Sequence, residues 1–292
     1  MALVVGVSPD ESGADAVALG AVLSRLLGDG LVLVHVNPPT IDYPSRGNVD
    51  AEWEAFLLER SEATLAAARR QLAEEWGIVA AEEMTVQNWS VSNGLVDAAE
   101  RVGGSIIVIG PGPGGRDSHL TLGSIAHALM HGSDIGVALA PEGYRETAPE
   151  RLERLVVGFR EEGEAQAALR WATDAAQRSG IAVELLTVVI RVTRIVGARI
   201  GRDPERAVMQ ALVEQERQAQ ERAMSALGTA VVGTVVQGDT AQQAMGRFPW
   251  GDGDAFIVGA SSLGAIRRVF PGDTNLKLLR AATVPALILP AG

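Results

Sequence analysis

The chain contains the same succession of short apolar segments twice. The segment 3–7, LVVGV, recurs 152 residues later as LVVGF, and the segments 105–110 and 135–141 each have a counterpart 149 residues later. Three similar segments in the same order, at a nearly constant spacing, predict two tandem copies of one domain. The spacing is that of a whole domain, because the units of solenoid proteins are only about 20–50 residues long.

Each copy alternates short β-branched runs with helical patterns. Strands are predicted at 3–7, 31–36, 84–89, 105–109 and 135–139, and again at 154–159, 182–189, 231–236, 254–258 and 285–289. Helices are predicted at 13–27, 50–76, 92–102, 123–131 and 204–227. Short apolar strands separated by helices are typical of parallel sheets covered on both faces. The predicted fold class is therefore α/β, with two tandem copies of a five-stranded parallel sheet in a Rossmann-like sandwich.

The repeat also predicts the domain boundaries. The first copy is expected to span 1–141 and the second 152–292, with the segment 142–151 as the linker between them. In the second copy, Asp203 is predicted to be the N-cap of the long helix, because Pro204 suits the first helical position.

Composition excludes several classes of function. The chain has no cysteine, which excludes disulfides, thiolate zinc sites and cysteine nucleophiles. Its 25 basic and 36 acidic residues give a net charge of −11, and basic residues cluster only in pairs, so no nucleic-acid binding is predicted. The N-terminal segment lacks the pattern of a secretory signal and no run of 18 apolar residues occurs, so we expect a cytoplasmic protein without a membrane span.

No pattern of side chains indicates a catalytic centre. The chain has neither a G-x-S-x-G nucleophile elbow nor a P-loop lysine, so we expect no enzyme activity beyond slow hydrolysis of a bound nucleotide. His127 and His131 are four residues apart on a predicted helix, a spacing that two metal ligands can share. His131 is also placed to interact with the helix C-terminus. We predict a structural role for both histidines and no metal site.

A glycine-rich turn follows the predicted strand 105–109. It runs over 110–116, and Gly123 and Ser124 then open the next predicted helix. Glycines let a backbone approach a phosphate closely, and a helix N-terminus offers N–H groups to an anion. Ligands of parallel α/β sheets also bind at the carboxyl ends of strands. The turn therefore indicates a phosphate site, and the alternative is an ordinary Gly/Pro loop in which Ser124 only caps the helix.

Taken together, the repeated segments resemble the universal stress protein family in its tandem two-domain form. The resemblance covers nearly the whole chain and rests on Gly6-Val7, 33–36, 107–110, 122–124, His131 and 236–241. The family implies the adenine-nucleotide α-hydrolase-like fold, a role in stress response, and binding of ATP or another adenine nucleotide, with Mg²⁺ as its possible companion. It also implies dimers, formed either as an intramolecular pseudo-dimer of the two halves or as a homodimer.

Nucleotide-binding members of the family carry the pattern G-x2-G-x9-G-[S/T] at this turn. The pattern falls on Gly110, Pro113, Gly123 and Ser124, so that proline replaces the second glycine. Ala126 stands where the family has a second small hydroxyl residue. By resemblance, the adenine contacts are Ser8, which replaces an acidic residue, and Val36. The phosphate contacts implied by the resemblance are Gly110, Gly112, Gly115, Gly123 and Ser124.

The second copy departs further from the family pattern. The same pattern falls on Gly259, Ser262, Gly272 and Asp273, and Arg160 takes the position of the adenine-contacting acid. A carboxylate at the last position would repel a phosphate by roughly 4 kcal/mol at about 4 Å separation and an effective dielectric constant near 20. An acidic residue there also suits a helix N-cap. We therefore expect no nucleotide in the second domain.

The replaced residues leave a second hypothesis open. Pro113, Ala126 and Ser8 in the first copy, with Asp273 in the second, are also compatible with a nucleotide-independent regulatory or interaction module. Such a module would keep the fold and bind a protein partner instead.

Overall fold

A computed structural model of the chain describes residues 2–39, 49–79, 81–113, 120–160, 165–190, 202–227, 231–259 and 274–290. The chain divides into two compact units, Met1–Arg151 and Leu152–Gly292.

The first unit is built on a parallel sheet. Its strands are β1 (Ala2–Gly6), β2 (Gly30–Asn37), β3 (Glu82–Gln87), β4 (Gly104–Ile109) and β5 (Gly136–Leu139). They lie side by side in the order β3-β2-β1-β4-β5, and all four neighbouring pairs are parallel. The chain order reverses between β1 and β4, and this reversal opens a crevice at the carboxyl ends of the two strands.

Helices cover both faces of this sheet. They are α1 (Glu11–Leu27), α2 (Val49–Trp76), α3 (Val91–Val102), α4 (Ser124–Gly132) and the short α5 (Tyr144–Thr147). Val5 of β1 packs against Gly20 of α1, whereas the next residue, Gly6, packs against Leu95 of α3. Because successive strand residues face opposite sides, α1 and α3 lie on opposite faces. Val5 and Leu95 are almost completely buried, so the core continues on both faces of the sheet.

Local capping interactions determine where the helices begin and end. Asp10 accepts a hydrogen bond from the Gly13 N–H at 3.2 Å and caps α1, which ends at Gly28 in the left-handed conformation. Ser90 accepts a hydrogen bond from the Asn93 N–H at 3.4 Å and caps α3. The first residues of α1 are therefore held at the carboxyl end of β1.

The second unit repeats this architecture. Its strands are β6 (Arg154–Gly158), β7 (Ala182–Ile190), β8 (Val232–Gly238), β9 (Asp254–Gly259) and β10 (Ala286–Leu289), in the order β8-β7-β6-β9-β10. Its helices are α6 (Ala165–Ser179), α7 (Arg202–Leu227), α8 (Ala241–Met245) and α9 (Thr274–Ala281). The Val7 N–H donates to the Val34 carbonyl at 2.9 Å, and the equivalent Phe159 N–H donates to the Leu186 carbonyl at 2.9 Å. The predicted fold class, two tandem parallel α/β units, is confirmed.

Three local features differ from the sequence prediction. Helix α7 begins at Arg202, so the prediction of Asp203 as its N-cap is wrong. Pro204 still fits, because first-turn residues donate no intrahelical hydrogen bond. The predicted linker contains α5, and the third strand, predicted at 84–89, is β3 at Glu82–Gln87.

The two longest helices, α2 and α7, have 28 and 26 residues and carry many charged side chains. Among the described residues, no helix is both long and apolar enough to cross a membrane.

Candidate functional site

A cavity of about 690 Å³ opens at the carboxyl edge of the sheet in the first unit. The residues that follow β1 form one wall, the end of β2 forms a second, and the turn after β4 with the start of α4 forms a third. This is the crevice expected where the strand order reverses. Its volume is in the range of small-molecule sites, about 300–1,000 Å³.

The structure brings most of the predicted site residues together around this cavity. Gly115 lies outside the described residues. The six other predicted residues all line the cavity: Ser8, Val36, Gly110, Gly112, Gly123 and Ser124. Pro113 and Ala126, at which the chain departs from the family pattern, also line it.

The glycine-rich turn folds back onto the start of α4. The Gly112 N–H donates to the Thr121 carbonyl at 2.9 Å, which closes the turn. A Cβ atom on Gly112 would lie only 2.6 Å from the Cα of Gly123, a distance that real Cβ atoms do not show. The two backbones can therefore approach this closely only because residue 112 is glycine.

The first turn of α1 holds the other end of the glycine-rich turn. The Ser12 hydroxyl donates to the Pro111 carbonyl at 2.8 Å. A Cβ atom on Gly110 would lie 1.9 Å from the Ser12 carbonyl oxygen, so a side chain at residue 110 would push the two segments apart. Gly110 and Gly112 are thus required by close backbone contacts.

The N-terminus of α4 faces the cavity. Its N-cap, Gly123, makes no side-chain capping bond, and the first intrahelical bond runs from the His127 N–H to the Gly123 carbonyl at 3.0 Å. The N–H groups of residues 124–126 precede this bond and have no intrahelical acceptor. Together with the positive end of the helix dipole and the exposed Ser124 hydroxyl, they suit an anion.

Part of the cavity lining is apolar. It consists of Val34, Val36, Val91, Leu95 and Ile109. Valine and leucine side chains at strand and helix ends provide a surface for a flat, weakly polar group such as a nucleobase. The cavity therefore combines an apolar lining with an anion-binding helix N-terminus.

His35 lies beside this apolar wall and is buried. Its Nδ1 atom lies 2.9 Å from the Val7 carbonyl oxygen and joins β2 to the residue that follows β1. In the second unit the Thr187 hydroxyl donates to the equivalent carbonyl of Phe159 at 3.0 Å. In each unit, this side chain on the second strand thus bonds to the residue after the first strand. The role of His35 is therefore structural.

Carboxylates predominate around the rim. Asp10, Glu11, Glu142 and Glu146 line the cavity, and among the described lining residues Arg145 is the one cationic side chain. Arg145 is already paired with Glu75 on α2, and this hydrogen-bonded pairing raises the pKa of the guanidinium. The Ser8 hydroxyl donates to an Asp10 carboxylate oxygen at 2.5 Å.

Asp15 fixes the part of the wall that carries Arg145. It is buried in α1, and its carboxylate accepts hydrogen bonds from the Gly143 N–H at 3.0 Å and the Arg145 N–H at 2.8 Å. Burial raises the pKa of Asp15, although these two backbone N–H groups oppose the rise.

Sequence reasoning missed Asp15, Ser12 and Arg145. Only Asp15 could have been found from the sequence, because an aspartate on the apolar face of a predicted helix needs a buried partner.

In the second unit, the structure describes only part of the region that corresponds to this cavity. Gly259 is buried at the end of β9 and Arg160 is exposed after β6. Ser262, Gly272 and Asp273 lie outside the described residues, so the expected repulsion by Asp273 stays a prediction.

Comparison with known proteins identifies the family. The sequence profile described as the universal stress protein family matches residues 1–141 and 151–290. The universal stress proteins Rv2319c of Mycobacterium tuberculosis and Mb2346c of Mycobacterium bovis are each 30% identical to this chain over 292 residues, which is 99% of this chain and 100% of each relative.

Comparison with solved structures gives the same fold. The crystal structure of a universal stress protein from Archaeoglobus fulgidus superposes with a TM-score of 0.64 at 14% identity, covering 100% of this chain and 98% of that chain. At this identity the likeness shows the fold alone. On the strength of both matched segments and the full-length relatives, the chain belongs to the universal stress protein family, as a tandem member with two α/β units.

Proposed function

We propose that this universal stress protein binds an adenine nucleotide, ATP or a related form, in the cavity of its first unit. The observation that carries the proposal is the backbone contact between Gly112 and Gly123, which sets the uncapped N-terminus of α4 against the cavity. An anion-binding helix end in a cavity with an apolar lining suits a ligand that carries both a phosphate and a base.

The phosphates are assigned to the turn and to α4. Gly110, Gly112, Gly123 and Ser124, with Gly115 added from the family pattern, would surround them. The Gly112 and Gly123 N–H groups already donate to the Thr121 carbonyl, so the donors to the phosphates would be the N–H groups of residues 124–126 and the Ser124 hydroxyl. The base is assigned to the apolar wall beside Val36 and Ser8. In this orientation the strand ends of β1 and β2 recognise the base while the helix neutralises the phosphate charge.

The carboxylates at the rim of the cavity favour a nucleotide whose negative charge is reduced by a metal ion. Asp10, Glu11 and Glu142 would repel a free polyphosphate, and Arg145, the one arginine among the described lining residues, is already paired with Glu75. A Mg²⁺ ion bound to the phosphates removes two negative charges from the ligand. We therefore expect the nucleotide to bind as its Mg²⁺ complex, with the protein acting as a nucleotide-responsive stress protein rather than a dedicated enzyme.

A charge reversal at the helix N-cap tests the site. Gly123→Asp places a carboxylate where the phosphate would lie, and roughly 4 kcal/mol of repulsion would abolish measurable binding of Mg·ADP in titration calorimetry. Gly132→Asp at the other end of α4 is the matched control, because residue 132 is exposed and nothing lies within 4 Å of an added Cβ. Equal binding by both variants would contradict the assignment.

A second candidate is a nucleotide-independent interaction module. The observation favouring it is that the Ser8 hydroxyl, at the proposed base position, is already bonded to Asp10. On this alternative, wild-type protein binds no adenine nucleotide at about 1 mM ligand, a concentration that detects even weak sites. Submicromolar binding of Mg·ADP or Mg·ATP excludes it.

A further inference from the structure

Two histidines stand side by side on the outer surface of α4. His127 and His131 are separated by one helical turn, and both side chains are exposed. Their ring centroids are 4.6 Å apart and the ring planes are inclined by 58°. The rings are therefore adjacent, accessible and not stacked face to face.

This separation matches two imidazoles that share one metal ion. A metal–nitrogen bond of about 2.0–2.1 Å places each ring centroid about 3.2 Å from the metal. Two such rings at angles between about 90° and 109° then have centroids about 4.5–5.2 Å apart. The observed separation falls within this range, so the two rings stand at the spacing that a shared ion requires.

The surroundings are compatible with a cation. The helix fixes both side chains on one face, since residues four apart are neighbours on its surface. The net charge of the chain is −11, which attracts cations to its surface. No group of three or more histidine, aspartate or glutamate ligands occurs among the described residues, so water would complete the coordination sphere.

We propose that His127 and His131 form a two-histidine chelating site for a divalent transition-metal ion of the Ni²⁺, Cu²⁺ or Zn²⁺ class. Imidazole nitrogen is a preferred ligand of these ions, whereas Mg²⁺ and Ca²⁺ prefer oxygen. The site is separate from the proposed nucleotide cavity, and it stands whether or not that cavity binds a nucleotide. It also replaces the purely structural role that the sequence suggested for the pair.

Titration of the full chain with Ni²⁺ tests the proposal. Wild-type protein should bind one Ni²⁺ at this site, and His127→Gln or His131→Gln should each weaken that binding by about tenfold or more, because a chelate depends on both arms. His119→Gln is the matched control, since it removes one histidine but leaves the pair intact. Thermal melting of each variant without metal shows whether it folds like the wild type.

A second readout reports the ligands directly. With one equivalent of Cu²⁺, the electron paramagnetic resonance spectrum should show two coordinated nitrogens in the wild type and in His119→Gln, but fewer in either variant of the pair. Unchanged Ni²⁺ affinity in both His127→Gln and His131→Gln would overturn the proposal, as would a Cu²⁺ spectrum with oxygen ligands only.

Discussion

Gly112 and Gly123 meet backbone to backbone, so closely that a Cβ atom on Gly112 would lie 2.6 Å from the Gly123 Cα. This contact joins the turn after β4 to the first residue before α4. It determines where the helix N-terminus stands relative to the ends of β1 and β2. The proposed phosphate site therefore depends on two residues that have no side chain.

A methyl group at Gly112 should disturb this contact. Gly112→Ala is expected to weaken Mg·ADP binding by about tenfold or more, which corresponds to 1.4 kcal/mol, because the turn must move away from α4. Titration calorimetry measures the change. Gly132→Ala on the same helix is the control, since an added Cβ there meets nothing within 4 Å. Wild-type affinity in Gly112→Ala would show that the contact does not shape the site.

Mg²⁺ should strengthen nucleotide binding. The rim carries Asp10, Glu11 and Glu142, which repel the free nucleotide more than its Mg²⁺ complex. The expected result is tighter binding of ADP in excess Mg²⁺ than in EDTA, at constant ionic strength to keep screening equal. Glu11→Gln should reduce the Mg²⁺ requirement, because it removes one of the repelling charges. Identical affinity with and without Mg²⁺ would argue against this electrostatic account.

A buried ion cluster should stabilise the second unit. The Arg154 Nε atom donates to Asp254 at 2.9 Å, and its Nη1 atom donates to Glu184 at 2.7 Å. Both carboxylates are buried. Arg154→Leu leaves them without a cation, and we expect the free energy of unfolding to fall by about 3 kcal/mol or more.

Urea unfolding of the full chain measures this loss. The control is Arg217→Leu, which breaks an exposed pair with Glu214 of 2.8 Å on α7. An exposed pair contributes less than about 1 kcal/mol, so the control should unfold almost like the wild type. Similar midpoints for the two variants would mean that the Arg154 cluster adds no stability.

Asp15 should make stability depend on pH. Burial raises its pKa above the ordinary value of 3.8, so the folded state binds this proton more tightly than the unfolded state. The stabilisation from protonation is complete below pH 3.8 and is lost as the pH rises through the raised pKa. Asp15→Asn cannot titrate, and it keeps only one acceptor for the Gly143 and Arg145 N–H groups.

The difference in unfolding free energy between wild type and Asp15→Asn should therefore shrink as the pH rises from about 4 to about 7. Urea titrations at several pH values in that interval give the slope. A difference that grows with pH would mean that the two backbone N–H groups outweigh burial and hold the pKa of Asp15 below 3.8.

Local patterns in the sequence suffice for most of the fold. The run predicted as a strand at 105–109 is β4, Gly104–Ile109, because β-branched residues between helical segments reveal buried parallel strands without tertiary information. The capping of α1 by Asp10 is likewise local. The start of α7 was misplaced because a proline fits anywhere in a first helical turn.

Long-range contacts could not be predicted from such patterns. Ser12 bonds to Pro111, 99 residues away, and Asp15 bonds to Gly143, 128 residues away. Ser8 and Val36 were assigned to the site by resemblance to the family, and the structure places both residues in the lining of the cavity. The sequence around Arg145 carries no pattern that predicts its place in the lining of the cavity.

The occupancy of the first unit by an adenine nucleotide tests the central claim most directly. Protein stripped of bound nucleotide would be dialysed to equilibrium against labelled ADP with Mg²⁺, and the number of sites per chain counted. We predict one site per chain, lost in Gly123→Asp and retained in Gly132→Asp. No binding at about 1 mM ADP would contradict the assignment of the cavity, and two sites per chain would contradict the expectation that the second unit is silent.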